Sequence, residues 1–384
     1  MKAKVKYRTY GNIPDMDTVK DIIIYGAKQG KHNKQYAFKN MNGEYCEKTF
    51  DEVFYDTTGL GQHLYTLGLK GKKVAILSEN SYYWIAAFYS IASGNMIAIP
   101  LDPKLPKEDL VDLMVRSGCD AIYYTRDFAP AIQLMKENPD VKLSFYLKLE
   151  DFDELVRMGH DELDNGAKNY LDDEVKPDDL GFIVYTSGTT GIAKGVMLSE
   201  HNLCSSVYYG LQVSQIYDTG LSILPYNHTY ESVCDILVNI HFHATICINA
   251  VMKDLVKDMQ LYHPTNIYMV PAVAEFIYSN IMRNLKKQDK LKTFEKGVKL
   301  SRAALKIGID LRPKLFRELH VLFGGRLRKI VCGGAPIRPE VGQFFDSIGI
   351  TLVNGYGITE CSPLVSANRD YFNNFETAGV PLPC

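Results

Sequence analysis

The stretch Val184-Tyr185-Thr186-Ser187-Gly188-Thr189-Thr190-Gly191-Ile192-Ala193-Lys194-Gly195-Val196 decides how this chain is read. The apolar run Phe182-Ile183-Val184-Tyr185 reads as a buried strand leading into it. A loop rich in Gly, Ser and Thr follows and closes on a single lysine, Lys194. Glycines let a backbone approach an anion closely, and unpaired N–H groups and hydroxyls then bind its oxygens. The loop is therefore expected to hold the phosphates of a nucleotide. It is not the common P-loop, in which Gly-Lys is followed by Ser or Thr. Here Lys194 precedes Gly195, and the hydroxyls come before the lysine.

On either side the chain alternates strands and helices. Val74-Ala75-Ile76-Leu77 reads as a short buried strand. Ser78-Glu79-Asn80-Ser81 offers a cap for a helix over Tyr82 to Ile91, which Gly94-Asn95 ends. Met96 to Pro100 is the next strand. This is a βαβ unit of a mostly parallel sheet. A helix over Lys107 to Ser117 and a strand over Ala121 to Tyr124 continue it. After the loop, Asn202 to Tyr209 is expected helical and Ser222-Ile223-Leu224 a strand. The polar, acidic stretch from Leu163 to Leu180 reads as a connector.

Composition narrows the class. The 384 residues are 46% hydrophobic and 23% charged, which suits an ordinary globular protein of two or three subdomains. A formal net charge of −2 gives no global basic field and argues against a nucleic-acid binder. The eight cysteines (46, 119, 204, 234, 247, 332, 361 and 384) form no Cys-x-x-Cys pair, so reduced thiols in the cytoplasm are expected. The basic start Met1 to Arg8 is followed by no apolar signal-peptide core, and no apolar run approaches a membrane span.

Three further segments accompany the loop in order. They are Leu224-Pro225-Tyr226-Asn227-His228-Thr229-Tyr230-Glu231, Val331-Cys332-Gly333-Gly334-Ala335-Pro336, and Asn354-Gly355-Tyr356-Gly357-Ile358-Thr359-Glu360-Cys361-Ser362-Pro363. Together with Tyr-Thr-Ser-Gly-Thr-Thr-Gly-x-x-Lys-Gly-Val, they resemble the motifs of the adenylate-forming (AMP-binding) superfamily. The resemblance runs from about Lys48 to the last residue. It points to the large N-terminal domain of a long-chain fatty acyl-CoA synthetase. The fold it implies is α/β, with two packed αβα subdomains, one over residues 1–175 and an AMP-binding one over 176–384.

The resemblance also implies residue roles. Thr186, Ser187, Gly188, Thr189, Thr190, Gly191 and Lys194 would hold phosphate. Gly333, Gly334, Ala335 and Pro336 would pass along the adenine. Asn354, Gly355, Tyr356, Gly357 and Thr359 would complete the nucleotide site, with the Tyr356 ring on the base. Thr186 and Glu360 would serve magnesium. His228, Thr359 and Lys194 would act in catalysis. Tyr226, His228 and Gly334 would begin the acyl pocket, with Val233, Leu237 and Phe242 as further wall candidates.

These residue types suit the implied chemistry. Forming an acyl-adenylate brings a carboxylate against the α-phosphate of ATP. Cations and N–H donors must offset the charge of two approaching anions. ATP, Mg²⁺, a fatty acid and CoA are the expected cofactor and substrates. Two other readings stay open: an acyl-AMP ligase delivering to a carrier protein, and a nucleotide- or acyl-binding module without turnover. Homodimerisation and peripheral membrane contact are also open.

Two remaining stretches bear on organisation. Between Arg283 and Lys306 nine basic residues face Asp289 and Glu295 alone. They read as a solvated helix pair, with Leu285, Leu291, Phe294, Val298 and Leu305 as its buried stripe, rather than as a contact for CoA phosphates or an anionic membrane surface. Such a helical insertion after Val270-Pro271-Ala272-Val273, a strand end, resembles the long-chain branch of the family. The match breaks off at Gly379 to Cys384, where relatives continue with a Thr-Gly-Asp segment and a small domain carrying a catalytic lysine. An isolated N-terminal domain, nearly inactive alone, is the expectation.

Overall fold

The computed structural model describes residues 13–186 and 193–383. Its strands, in chain order, are β1 (Lys34–Lys39), β2 (Tyr45–Thr49), β3 (Lys73–Leu77), β4 (Ile97–Pro100), β5 (Ala121–Tyr124), β6 (Phe145–Lys148), β7 (Leu180–Thr186) and β8 (Lys194–Ser199). Then follow β9 (Thr219–Ser222), β10 (Thr245–Ile248), β11 (Asn266–Met269), β12 (Lys329–Cys332), β13 (Thr351–Gly357), β14 (Leu364–Ala367) and β15 (Val380–Pro381).

One sheet has the order β6-β5-β3-β4-β7-β8 and is parallel apart from the β7–β8 pair. Its strands are apolar on both faces because helices cover both. Val74 and Ile76 face a core shared with the helices Phe50–Thr66 and Tyr82–Ala92. Ala75 and Leu77 face the opposite way, onto the helices Lys107–Ser117 and Ala129–Glu137. Ser81 caps Tyr82–Ala92 by accepting a hydrogen bond from the Trp84 N–H at 3.2 Å.

The second sheet has the order β15-β14-β13-β12-β11-β9-β10-β1-β2. Its inner strands run parallel, and antiparallel strands close both edges. The two sheets share a core: Tyr36 of β1 and Ile246 of β10 lie in the same apolar cluster as Val74, Trp84 and Phe182. The Tyr36 and Tyr89 hydroxyls are hydrogen-bonded at 2.7 Å within it.

Three local expectations are corrected. The sheets do not divide at residue 175. The β1–β2 hairpin joins the second sheet, because β1 buries its four central residues by pairing in parallel with β10. The β7–β8 pair stays in the first. The strand expected over Ser222 to Leu224 ends at Ser222, because the Ile223 and Leu224 N–H groups donate to Glu231 Oε1 (3.1 and 3.2 Å) instead of a neighbouring strand. Pro271 opens a helix, Pro271–Lys287, rather than closing a strand; its missing N–H costs nothing in the first turn. Among the described residues every cysteine is a free thiol, and no helix is long and apolar enough to cross a membrane.

Candidate active site

Parallel α/β sheets present their ligand crevices beyond the carboxyl ends of the strands. A cavity with a volume of about 430 Å³ lies there, past β11, β12 and β13. One rim is the turn after β12. Gly334 has φ of 85°, a conformation that favours glycine, and a side chain at Gly333 would strike the Tyr230 ring at 3.1 Å. Tyr230 holds that position by donating to the Val331 carbonyl at 3.0 Å. The opposite rim is the end of β13, where Gly355, Tyr356 and Gly357 face the cavity and the Tyr356 ring is half exposed. Asn354 also lines it, and its buried Oδ1 has no hydrogen-bond partner among the described residues. An amine donor, such as the one on adenine, would satisfy that oxygen.

The turn between β9 and the next helix forms the mouth. His228 stands on it, and its main chain is fixed from both sides: its N–H donates to the Pro225 carbonyl at 3.2 Å, and its carbonyl accepts from the Glu231 and Ser232 N–H groups at 3.0 Å each. His228 keeps solvent access in a mouth crowded by protein, and that crowding lowers its pKa below the ordinary 6.5. Asp102 opposes the shift and Lys104 adds to it. The imidazole is therefore neutral at pH 7 and can donate one hydrogen bond.

Behind the mouth lies Glu231, fully buried, whose Oε1 also accepts from Ser222 Oγ at 2.6 Å. Burial and the neighbouring Asp235 raise its pKa well above the carboxylate range, while burial pushes Asp235 up to about 7. Glu231 Oε2 and Asp235 Oδ2 have no donor of their own. A proton held by Glu231 and donated to Asp235 satisfies both. The segment Ser232–Leu237 forms a π-helical turn, a form frequent at functional sites. Cys234 from this turn and the following Val238 line the inner end of the cavity with Leu211 and Ile216. The cavity thus runs from a polar mouth to an apolar end.

A model of the AMP-binding enzyme family matches residues 27–384. The chain belongs to the AMP-binding enzyme family. Among curated relatives, it is 26% identical over 401 residues to the peroxisomal long chain acyl-CoA synthetase 6 of Arabidopsis thaliana, covering 96% of this chain and 56% of the relative. It is 25% identical over 402 residues to the long-chain-fatty-acid–CoA ligase 6 of Rattus norvegicus, covering 96% and 57%. The chain therefore spans a little over half the length of these relatives. Its fold matches a long-chain-fatty-acid-CoA ligase of Archaeoglobus fulgidus, with a TM-score of 0.75 at 17% identity over 99% of this chain and 72% of the other. The architecture is accordingly that of the large N-terminal part of adenylate-forming enzymes.

Within this AMP-binding fold, the cavity gathers His228, Gly333, Gly334, Asn354, Gly355, Tyr356, Gly357 and Thr359. Thr186, Lys194, Ala335, Pro336 and Glu360 stand outside its lining. Thr186 and Lys194 are nonetheless close to it, since β8 packs against the turn Thr359–Cys361. Ser187, Gly188, Thr189, Thr190 and Gly191 lie outside the described residues. Tyr226 is not a wall residue. It is buried in the core, edge-on to Trp84 at 5.2 Å and hydrogen-bonded to Ser222 Oγ at 3.1 Å. Val233, Leu237 and Phe242 do not line the cavity either; Val233 and Leu237 are fully buried in the core. Cys234 and Val238 are the wall residues that sequence reading missed, since π-helical winding shifts the helical period by which a face is assigned. Asn80 was also missed. It reaches from the first sheet to bond the Leu224 carbonyl (2.6 Å) and the Tyr226 N–H (3.2 Å), fixing the mouth across the subdomains.

The donors fit magnesium. No group of three or more metal-binding side chains occurs among the described residues. Mg²⁺ rarely needs one: it keeps several waters and takes one or two protein oxygens plus substrate phosphates. The Glu360 side chain is exposed and has no ion-pair or hydrogen-bond partner among the described residues, and Thr186 ends β7 with a hydroxyl.

Proposed function

We propose that this chain carries the acyl-activating site of an ATP-dependent fatty acid–CoA ligase. The observation that carries the reading is one cavity joining the nucleotide motifs at its mouth to an apolar end at Leu211, Ile216 and Val238. Such a pocket suits a ligand with a charged head and a hydrocarbon tail. With turnover belonging to the whole protein, a fatty carboxylate oxygen attacks the α-phosphorus of ATP, and the bond to pyrophosphate breaks. The products are acyl-AMP and pyrophosphate. The CoA thiolate then attacks the acyl carbonyl carbon and AMP leaves.

Asn354 Oδ1 and Tyr356 hold the base in this reading. Lys194 sets a positive charge beside the phosphates. Neutral His228 donates a hydrogen bond at the mouth, to the carboxylate or the α-phosphate. Mg²⁺, held by Glu360 and Thr186, would offset phosphate charge. Location in the cytoplasm belongs to the same proposal.

The test is thermal stabilisation by non-hydrolysable acyl-adenylate mimics of rising chain length. Shifts should grow from acetyl to palmitoyl. Equal shifts for both would remove the fatty-acyl assignment while leaving the nucleotide site standing. Acyl transfer by the whole protein to a carrier protein but not to CoA would replace CoA as acceptor.

A further inference from the structure

The helix Leu291–Leu305 has two faces. Phe294 and Val298 pack on the second sheet's core, and Ser301, one turn beyond Val298 on the same face, is fully buried. On the outward face, Lys292, Lys296, Lys299 and Lys306 recur at helical spacing and form one stripe. Beside that stripe stand Leu300, 54% exposed, and Ile307 just past the helix end, 74% exposed. Ile309 and Leu315, 49% and 41% exposed, follow along the chain, with exposed Lys314 next to Leu315. Leu305, expected in the buried stripe, is exposed as well.

Charge here is unbalanced. Arg312 is tied to Asp310 at 2.8 Å and Lys290 to Glu318 at 3.4 Å. Lys292, Lys296, Lys299, Arg302, Lys306 and Lys314 have no carboxylate partner among the described residues, and Glu295 is the one unpaired acid between 291 and 315. A solvated helix needs the lysines but not four or five exposed aliphatic side chains interleaved with them. Cations bordering aliphatic side chains on one face are what an anionic bilayer surface accommodates, with the ammonium groups at phosphates and the aliphatic groups among the acyl chains. A nucleic-acid surface would instead place aromatic rings among the cations for base stacking, and this face has none.

We propose that the outward face of Leu291–Leu305, with the following Ile307 to Leu315, docks on anionic phospholipid membranes. No residue of this face lines the cavity, so docking does not depend on the proposed activity. It would set the protein flat on a lipid surface, where apolar acids partition.

Vesicle co-sedimentation tests the proposal. The protein should bind vesicles of phosphatidylcholine mixed with phosphatidylglycerol, bind phosphatidylcholine alone far less, and be released by salt. Each basic residue near such a surface is worth roughly fivefold in partition, so Lys296→Glu/Lys299→Glu/Lys306→Glu should lose at least about a hundredfold. Leu300→Ser/Ile307→Ser should weaken binding about tenfold or more and keep the salt dependence. Both variants are exposed substitutions and should leave melting temperature and MgATP binding unchanged. Equal binding to neutral vesicles, or wild-type binding by the triple variant, would overturn the proposal. So would polynucleotide binding that survives Leu300→Ser/Ile307→Ser while anionic vesicles stay unbound.

Discussion

Thr186 and Lys194 sit directly opposite each other in the antiparallel β7–β8 ladder. The pairing continues inward through Tyr185↔Gly195 and Val184↔Val196, so Thr186 and Lys194 are the last pair of that ladder. The hydroxyl proposed for magnesium and the ammonium proposed for phosphate thus belong to paired residues of two strands, and the sheet sets the spacing of their main chains. The same strand, β8, packs against the turn that carries Thr359 and Glu360. Two motifs 165 residues apart in sequence, at Lys194 and Thr359, are therefore brought together beside the cavity that Thr359 lines.

That arrangement separates the lysine from the acid by experiment. Lys194→Ala should weaken ATP binding about ten- to a hundredfold, the range of a lost charged hydrogen bond, with or without magnesium. Glu360→Ala should weaken it only when magnesium is present and change nothing in EDTA. Calorimetric titration of each variant in both buffers reads the difference. Wild-type affinity for both variants would show that the phosphates lie elsewhere.

The apolar end of the cavity gives a chain-length prediction. Val238 follows the π-helical turn and faces the cavity. Val238→Phe fills that end. Affinity for a palmitoyl-adenylate mimic should fall by about tenfold or more, while an acetyl-adenylate mimic should bind within about twofold of wild type. Parallel loss for both mimics would mean that the tail runs elsewhere and that the substitution disturbs the mouth.

How much of this was legible in the sequence depended on distance along the chain. The helix Lys107–Ser117 and the strand Ala121–Tyr124 follow from local periodicity and match the expectation residue for residue. The glycine turn at Gly333-Gly334 and the Gly355-Tyr356-Gly357 segment were visible because backbone demands there restrict residue type. The pairing of β1 with β10 joins segments about two hundred residues apart, and no local pattern encodes it. Tyr226 was misplaced for a related reason. It sits two residues from His228 in an irregular turn, and contacts with residues far from it in the chain, Asn80 on its N–H and Trp84 on its ring, hold it inward. The expected buried stripe on Leu291–Leu305 was right at Phe294 and Val298 and failed at Leu305, where the helix ends and leaves the sheet.

The imidazole of His228 should titrate below 6.5 in the free protein, because the crowded mouth disfavours the charged form and Lys104 adds to that. MgATP should raise the midpoint, since a phosphate beside the ring favours the imidazolium. NMR of the ring protons across a pH series gives both values, with His228→Gln assigning the resonance. A free-protein midpoint above 6.5, or no movement on nucleotide binding, would detach His228 from the phosphate site.

The Glu231–Asp235 pair makes stability depend on pH in a direction opposite to most carboxylates. An acid whose folded pKa is raised is more protonated in the native state than in the unfolded one, so its contribution falls as pH rises. For Asp235 the window runs from the ordinary 3.8 to about 7, and Glu231 extends it upward. Stability contributed by the pair is therefore fully present below about pH 4 and is lost progressively on the way to neutrality. Asp235→Asn removes one ionisation and leaves a carbonyl oxygen where Asp235 Oδ1 now accepts from Asn239 Nδ2 at 2.6 Å. Its amide can donate to Glu231 Oε2, which has no other donor. Relative to wild type, the variant should gain stability between pH 5 and pH 8, by an amount on the order of 1–3 kcal/mol. Urea unfolding at the two pH values measures this. Asp235→Leu keeps neutrality but leaves Glu231 without a partner, so it should be less stable than Asp235→Asn throughout. If wild type and Asp235→Asn show the same change in stability between pH 5 and 8, the pair carries no shared proton and Glu231 holds the His228 turn as an ordinary buried carboxylate.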